Sequence, residues 1–161
     1  VDTAWTLRAL PGSLAREDGT FARVVDGPER PVPAVSRQLA AEAERARAHH
    51  ASRGASGPDT PGEVAAVLRP IDAARAVDLL TALAANNLLH PARDRRDRAH
   101  ARAAAEHAGG LLGQGSAWHT HLATDWPRVR GRNPVTRHTV DGLAAGTGSH
   151  FTVALLQVAV D

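Results

Sequence analysis

The stretch His150-Phe-Thr-Val-Ala-Leu-Leu-Gln-Val-Ala-Val160 is apolar on both faces of any strand drawn through it, and it is rich in β-branched residues. Either face would be costly in water, so the run predicts a strand buried on both sides, inside a sheet rather than at its rim. The segment before it, Gly146-Thr-Gly-Ser149, has the composition of a turn, and residues 136–145 have strand character. Together they predict a C-terminal hairpin.

Working back along the chain, Trp118-His-Thr-His-Leu-Ala-Thr124 alternates like a strand and is ended by Asp125-Trp-Pro127. Residues 34–108 read as helical. The first helix there has an Ala-rich apolar side and is expected at the surface. Thr60-Pro-Gly-Glu63 is a capping box with Pro at the first helical position, and it opens a short helix stopped or kinked at Pro70. Residues 71–85 carry Ile71, Ala74, Val77, Leu80, Leu83 and Ala84 on one stripe, which predicts the helix that packs on the sheet. Another helix is expected from near Pro91 to Gly109-Gly110, outside the core because its charges alternate. At the N-terminus, short apolar runs flank Glu17-Asp-Gly19, and Asp-Gly predicts a small hairpin over residues 4–25. The expected architecture is a single α+β domain over residues 1–161. Its antiparallel sheet comes mostly from the C-terminal hairpin and strands 117–160, plus the N-terminal hairpin, and packs against a helical layer.

Composition limits the chemistry. A chain of 161 residues can bury a core without staples. Cysteine is absent, which excludes disulfides, thiolate metal sites and cysteine nucleophiles and suits a cytoplasmic location. No apolar run reaches the roughly 18 residues a spanning helix needs, and no leader pattern opens the sequence, so no membrane partner is expected. All nineteen basic residues are Arg, the bias of a GC-rich genome, against seventeen acids. Residues 93–137 hold nine Arg against four acids, so the positive excess is local.

The sharpest chemical signal is His119-Thr-His121. Residues two apart in a strand share a face, so both imidazoles point one way, a usual beginning for a Zn, Mn, Fe or Cu site. Asp125 adds a carboxylate four residues on, and His138 and His150 lie on the hairpin, where they could complete a metal set. The commoner fate of such a pair, in a chain with nine His, is ordinary hydrogen bonding. Gly113, His119, His121, Asp125 and Gly131 resemble the first metal-binding motif of the cupins, with Asp for Glu and one residue fewer before the last Gly. That resemblance implies a metal-bearing β-barrel; the second cupin motif has no match. His150-Phe-Thr-Val resembles the histidine strand of papain-like peptidases, but the nucleophile is missing. Ser116, Ser149, His150 and Asp141 supply the residue types of a Ser-His-Asp triad without a nucleophile elbow.

A second signal is basic. Arg128, Arg130 and Arg132 alternate beside Trp126, a pattern that could hold a nucleic-acid single strand, and Arg95, Arg98 and Arg102 could extend it. The functional expectation is a non-catalytic binding or regulatory domain, with a homo-oligomer or protein partner open. The alternatives are a metal-dependent enzyme at His119, His121 and Asp125, and Arg-mediated nucleic-acid binding.

Overall fold

The computed structural model describes residues 3–15, 19–26, 32–46, 57–86, 88, 96–123, 135–136 and 141–158. Ten elements follow in chain order: α1 (Thr3–Leu14), β1 (Thr20–Asp26), α2 (Val32–Ala46), α3 (Pro61–Val67), β2 (Arg69–Ile71), α4 (Ala73–Ala85), α5 (Arg98–Leu112), β3 (Ala117–Thr120), β4 (Asp141–Thr147) and β5 (Phe151–Val158). The strands form one antiparallel sheet in the order β1-β5-β4-β3-β2. The α+β class expected from the sequence is therefore present.

β5 is an inner strand, paired with β1 on one side and β4 on the other. Its alternate residues divide between two cores. Val153 and Leu155 join the helices of one face, together with Leu79, Leu80, Leu83 and Trp118. Ala154, Leu156 and Val158 join the other, with Val35, Leu39 and Ala43 of α2. The run that is apolar on both sides thus has a hydrophobic partner on both sides, which is what its composition requires. Helices cover both faces, α1, α4 and α5 on the first and α2 on the second, with Val67 at the end of α3 packed beside it. The Ala-rich side of α2 is accordingly buried, at Val32, Val35, Leu39, Ala40 and Ala43.

Three expectations are corrected. The first concerns residues 4–25, which are not a hairpin: α1 runs to Leu14, and β1 pairs with β5 instead of with an N-terminal neighbour. Leu10 and Leu14, one helical turn apart, both reach the α4–α5 core, and that burial favours the helix over the local turn signal. Gly19 does take a positive φ of 79°, but it turns a helix into a strand. The second concerns α5, which passes through Gly109-Gly110 and ends at Gly113, whose φ is 83° and whose N–H reaches Gly109 O at 3.2 Å. A Cβ on Gly109 would stand 3.5 Å from Val77, so this glycine sits where two helices approach closely. Thirdly, α5 is not an outer helix, since Ala101, Ala105 and Ala108 are fully buried.

The capping box behaves as its sequence implies: Thr60 Oγ1 accepts from Glu63 N at 3.1 Å, with Pro61 opening α3. Ile71 falls in β2, and α4 begins after it, with Asp72 as the cap accepting from Arg75 N at 2.7 Å. In the C-terminal hairpin the turn lies later than its composition suggests. Gly148 N donates to Phe151 O at 2.8 Å, leaving Ser149 and His150 at the tip. Gly146 belongs to β4, and a Cβ there would stand 2.4 Å from the Trp118 ring, so this glycine admits the indole rather than making a turn.

Candidate functional site

The polar interior of the second face is built where β3 runs out against β4. The register sets His119 opposite Ala145 and Thr120 opposite Ala144, so residue 121 would next meet Leu143. The Gly148–Phe151 bond marks those two as a hydrogen-bonding position of the ladder, and the period of two then turns the backbone groups of Asp141, Leu143, Ala145 and Thr147 toward β3. Side chains meet Leu143 there. Thr120 Oγ1 donates to Leu143 O at 2.7 Å, and Leu143 N donates to His121 Nε2 at 3.0 Å. An imidazole and a hydroxyl thus finish the ladder that the backbone of β3 begins. Because Nε2 accepts, its lone pair is committed, and in the neutral ring the proton belongs to Nδ1.

Asp141 completes this cluster. Its Oδ2 accepts from Val135 N at 3.1 Å, Thr136 N at 2.7 Å and Thr136 Oγ1 at 2.7 Å, and its Oδ1 lies 3.8 Å from His121 Nε2. Both side chains have no exposure, so the three donors supply what water would. The carboxylate fastens residues 135–136 to the head of β4, and Val135 then packs into the second core. The sequence offers Asp141 and His150 only as residue types of a triad, and the fold sets Asp141 beside His121. Thr120 carried no signal, because its role depends on β4, more than twenty residues away in sequence.

The two histidines do share a face. Trp118 and Leu122 enter the α4–α5 core, which turns His119 and His121 to the other side. Ala117–Thr120 is a strand, as their spacing requires, and His121 follows it directly. His119 is half-buried opposite Pro70 and Ala145, and its buried Nδ1 has no hydrogen-bond partner among the described residues. His150 sits at the exposed hairpin tip, in edge contact with Phe151, beyond the far end of β4 from Asp141. The six strand steps between Asp141 and Thr147 amount to about 20 Å, so His150 is not brought to His121. Among the described residues no three His, Asp or Glu gather as a metal site. Asp125 and His138 lie outside the described residues, as do Trp126, Arg128, Arg130 and Arg132.

Of the Arg residues meant to extend the basic patch, Arg98 and Arg102 turn to α4. Arg98 Nη1 donates to Asn86 Oδ1 at 2.6 Å. Arg102 bridges Glu106 at 3.0 Å and Asp78 at 2.7 Å, and these bonds, Glu106 first, hold its guanidinium above its usual pKa. Such exposed pairs are the ordinary dress of a solvated helix face. Among the described residues the sheet is open at β1 and β2 and is not the closed barrel that the cupin resemblance implies.

Two open grooves flank α5. One, of about 550 Å³, lies against α1 and is lined by Leu10, Ser13, Arg96, His100, Ala104 and His107. The other, of about 670 Å³, lies against α4; Ala74, Val77, Gly109 and Gly110 supply apolar lining, and Glu106, Gln114 and Ser116 supply polar groups. No helix among the described residues is long and apolar enough to cross a membrane. No protein-family model matches the chain, and neither a curated protein nor a solved structure matches it.

Proposed function

We propose that the protein is a non-catalytic binding domain that takes a small, largely apolar ligand in the groove between α4 and α5. The observation that carries this reading is the contrast between that groove and the buried histidine. His121, Asp141 and Thr120 are spent on fastening backbone and have no exposure, so a substrate has no route to their chemistry. The groove is open, apolar in part of its lining and furnished with a few polar groups, the usual make-up of a small-molecule site. A set of aromatic fragments followed by amide NMR shifts is the test. Shifts should gather at Val77, Gly109, Gly110 and Ser116. Gly110→Leu should abolish them, because a Cβ there meets nothing within 4 Å and the side chain can fill the groove without a clash. Shifts that gather elsewhere, or that survive Gly110→Leu, would overturn the reading.

One observation favours a second reading, a metal-dependent site at His119. Its Nδ1 is buried without a hydrogen-bond partner among the described residues, as a ligand nitrogen would be in the absence of its ion. A metal held there with Asp125 would activate water or a substrate oxygen. Elemental analysis of purified protein should then find about one Zn, Mn or Fe per chain, lost in His119→Ala. A metal-free preparation whose melt is unmoved by all three ions ends this reading.

A further inference from the structure

The two edges of the sheet are built differently. Proteins blunt sheet edges with short strands, Pro and charge, because an open edge is a template for another strand. β2 follows that practice, with three residues and Pro70 at its middle. β1 is seven residues long and contains no Pro. Val158 N donates to Gly19 O at 2.8 Å, which marks these two as a hydrogen-bonding position of the ladder, and the register then assigns Phe21, Arg23 and Val25 to the bonds with β5. Ala22, Val24 and Asp26 turn their N–H and C=O groups to the other side, where no strand among the described residues meets them. Phe21 to Val25 are all only half-buried.

We infer that β1 pairs antiparallel with β1 of a second copy of this chain, joining two five-stranded sheets about a two-fold axis at Arg23. The segment Thr20-Phe-Ala-Arg-Val-Val-Asp26 has the same order of residue classes in both directions: polar, two apolar, Arg, two apolar, polar. Pairing about Arg23 sets Ala22 against Val24 of the other copy, both with outward backbone groups, and Phe21 against Val25, an aromatic–β-branched pair of the kind that stabilises sheets. A slip of two residues would set Arg23 against Val25 or Phe21. At the axis each Arg23 is already held sideways on α2, to Gln38 Oε1 at 3.0 Å and Glu42 Oε2 at 3.0 Å, so two Arg and two Glu meet with no net charge.

Solution mass against concentration tests this on the full chain. The parent should have twice the mass of a single chain and fall to that of one chain on dilution. Val24→Pro removes an N–H that points away from β5 and breaks no bond among the described residues, so this variant should keep the parent's circular dichroism and remain a monomer. Should it fail to fold, cross-linking decides. The chain has no Cys, so Arg23→Cys carries a single thiol. At the axis it would face its own copy in a non-bonded pair, with Cα atoms about 4.5 Å apart, within reach of a disulfide. Arg23→Cys should oxidise to a covalent dimer, and Val25→Cys should not. The inference is overturned if the parent stays monomeric up to about 1 mM. It is equally overturned if folded Val24→Pro remains dimeric, or if the two thiols cross-link alike.

Discussion

On the α4–α5 face of the sheet Gln157 is a buried polar side chain, and on the α2 face His121 and Asp141 are. Gln157 is neutral and uses its whole amide. Its Nε2 donates to Leu83 O at 2.6 Å and Asn86 O at 2.8 Å, while its Oε1 accepts from Leu88 N at 3.1 Å. Two carbonyls at the C-terminal end of α4, those of Leu83 and Asn86, thereby receive a bond from β5. His121 and Asp141 also serve backbone groups, but they are ionisable and fasten a strand end and a loop instead of a helix. One face is thus tied to its helical cover, whereas the other is tied to the chain entering β4. The lesson is that burial of a titratable pair does not by itself mark chemistry. What matters is whether its lone pairs are offered or spent.

The largest effect should come from a charge placed in either core. Leu156 has no exposure, and Leu156→Asp would bury a carboxylate without partners on the α2 face. The cost is several kcal/mol, or a neutral acid in its place, against a typical total stability of about 5–15 kcal/mol. Ala101→Asp on the other face should cost a comparable amount, because Ala101 has no exposure either. Thermal melts decide both. If Ala101→Asp melts within about two degrees of the parent, α5 does not lie against α4 and the two-faced core is wrong.

A smaller pair of effects tests whether the two polar ties differ. Gln157→Leu keeps the volume but removes the bonds to Leu83 O, Asn86 O and Leu88 N, at about 1 kcal/mol for each bond lost. Asp141→Asn keeps an acceptor oxygen and loses only the charge assistance, for about 1–2 kcal/mol. Denaturant unfolding should rank the first variant as the less stable. Hydrogen exchange should locate the damage, with faster exchange at Leu88 in Gln157→Leu and at Val135 and Thr136 in Asp141→Asn. Damage that spreads equally over both faces would mean that the ties do not act separately.

The parts of this fold legible in the sequence are those whose cause is local. The two-sided apolarity of β5 required a core on each side, and the Thr60 capping box needed only its neighbour Glu63. The parts that were not legible depend on distant chain. β1 is a strand because β5 gives it a ladder, and nothing within residues 20–26 names that partner. Asp18-Gly19 suits a hairpin turn in sequence, but the positive φ of Gly19 serves equally well where β1 begins after a helix. Gly146 looked like turn composition because the Trp118 ring that requires it arrives from another strand. The site divides the same way: spacing put His119 and His121 on one face, but only the β3–β4 register shows His121 bound to Leu143.

The smallest effect concerns the other histidine, and it separates the two functional readings. His121 and His119 lie two residues apart on one face, yet only the first has a described partner. Removing a buried nitrogen that has no partner among the described residues forfeits no bond seen there and sheds a desolvation cost, and leucine adds apolar contact with Ala145. In protein stripped with a chelator, His119→Leu should therefore melt at or slightly above the parent, by no more than about 1 kcal/mol. Adding Zn²⁺, Mn²⁺ or Fe²⁺ then asks the functional question. A parent that rises while His119→Leu stays put places an ion on the imidazole and favours the metal reading. If both stay put, the imidazole is only a half-buried strand residue, and the binding reading keeps the groove at α4 and α5 as its sole site. A clear loss of stability in the chelated variant would contradict the metal reading, since it would show that His119 already makes a bond in the folded chain.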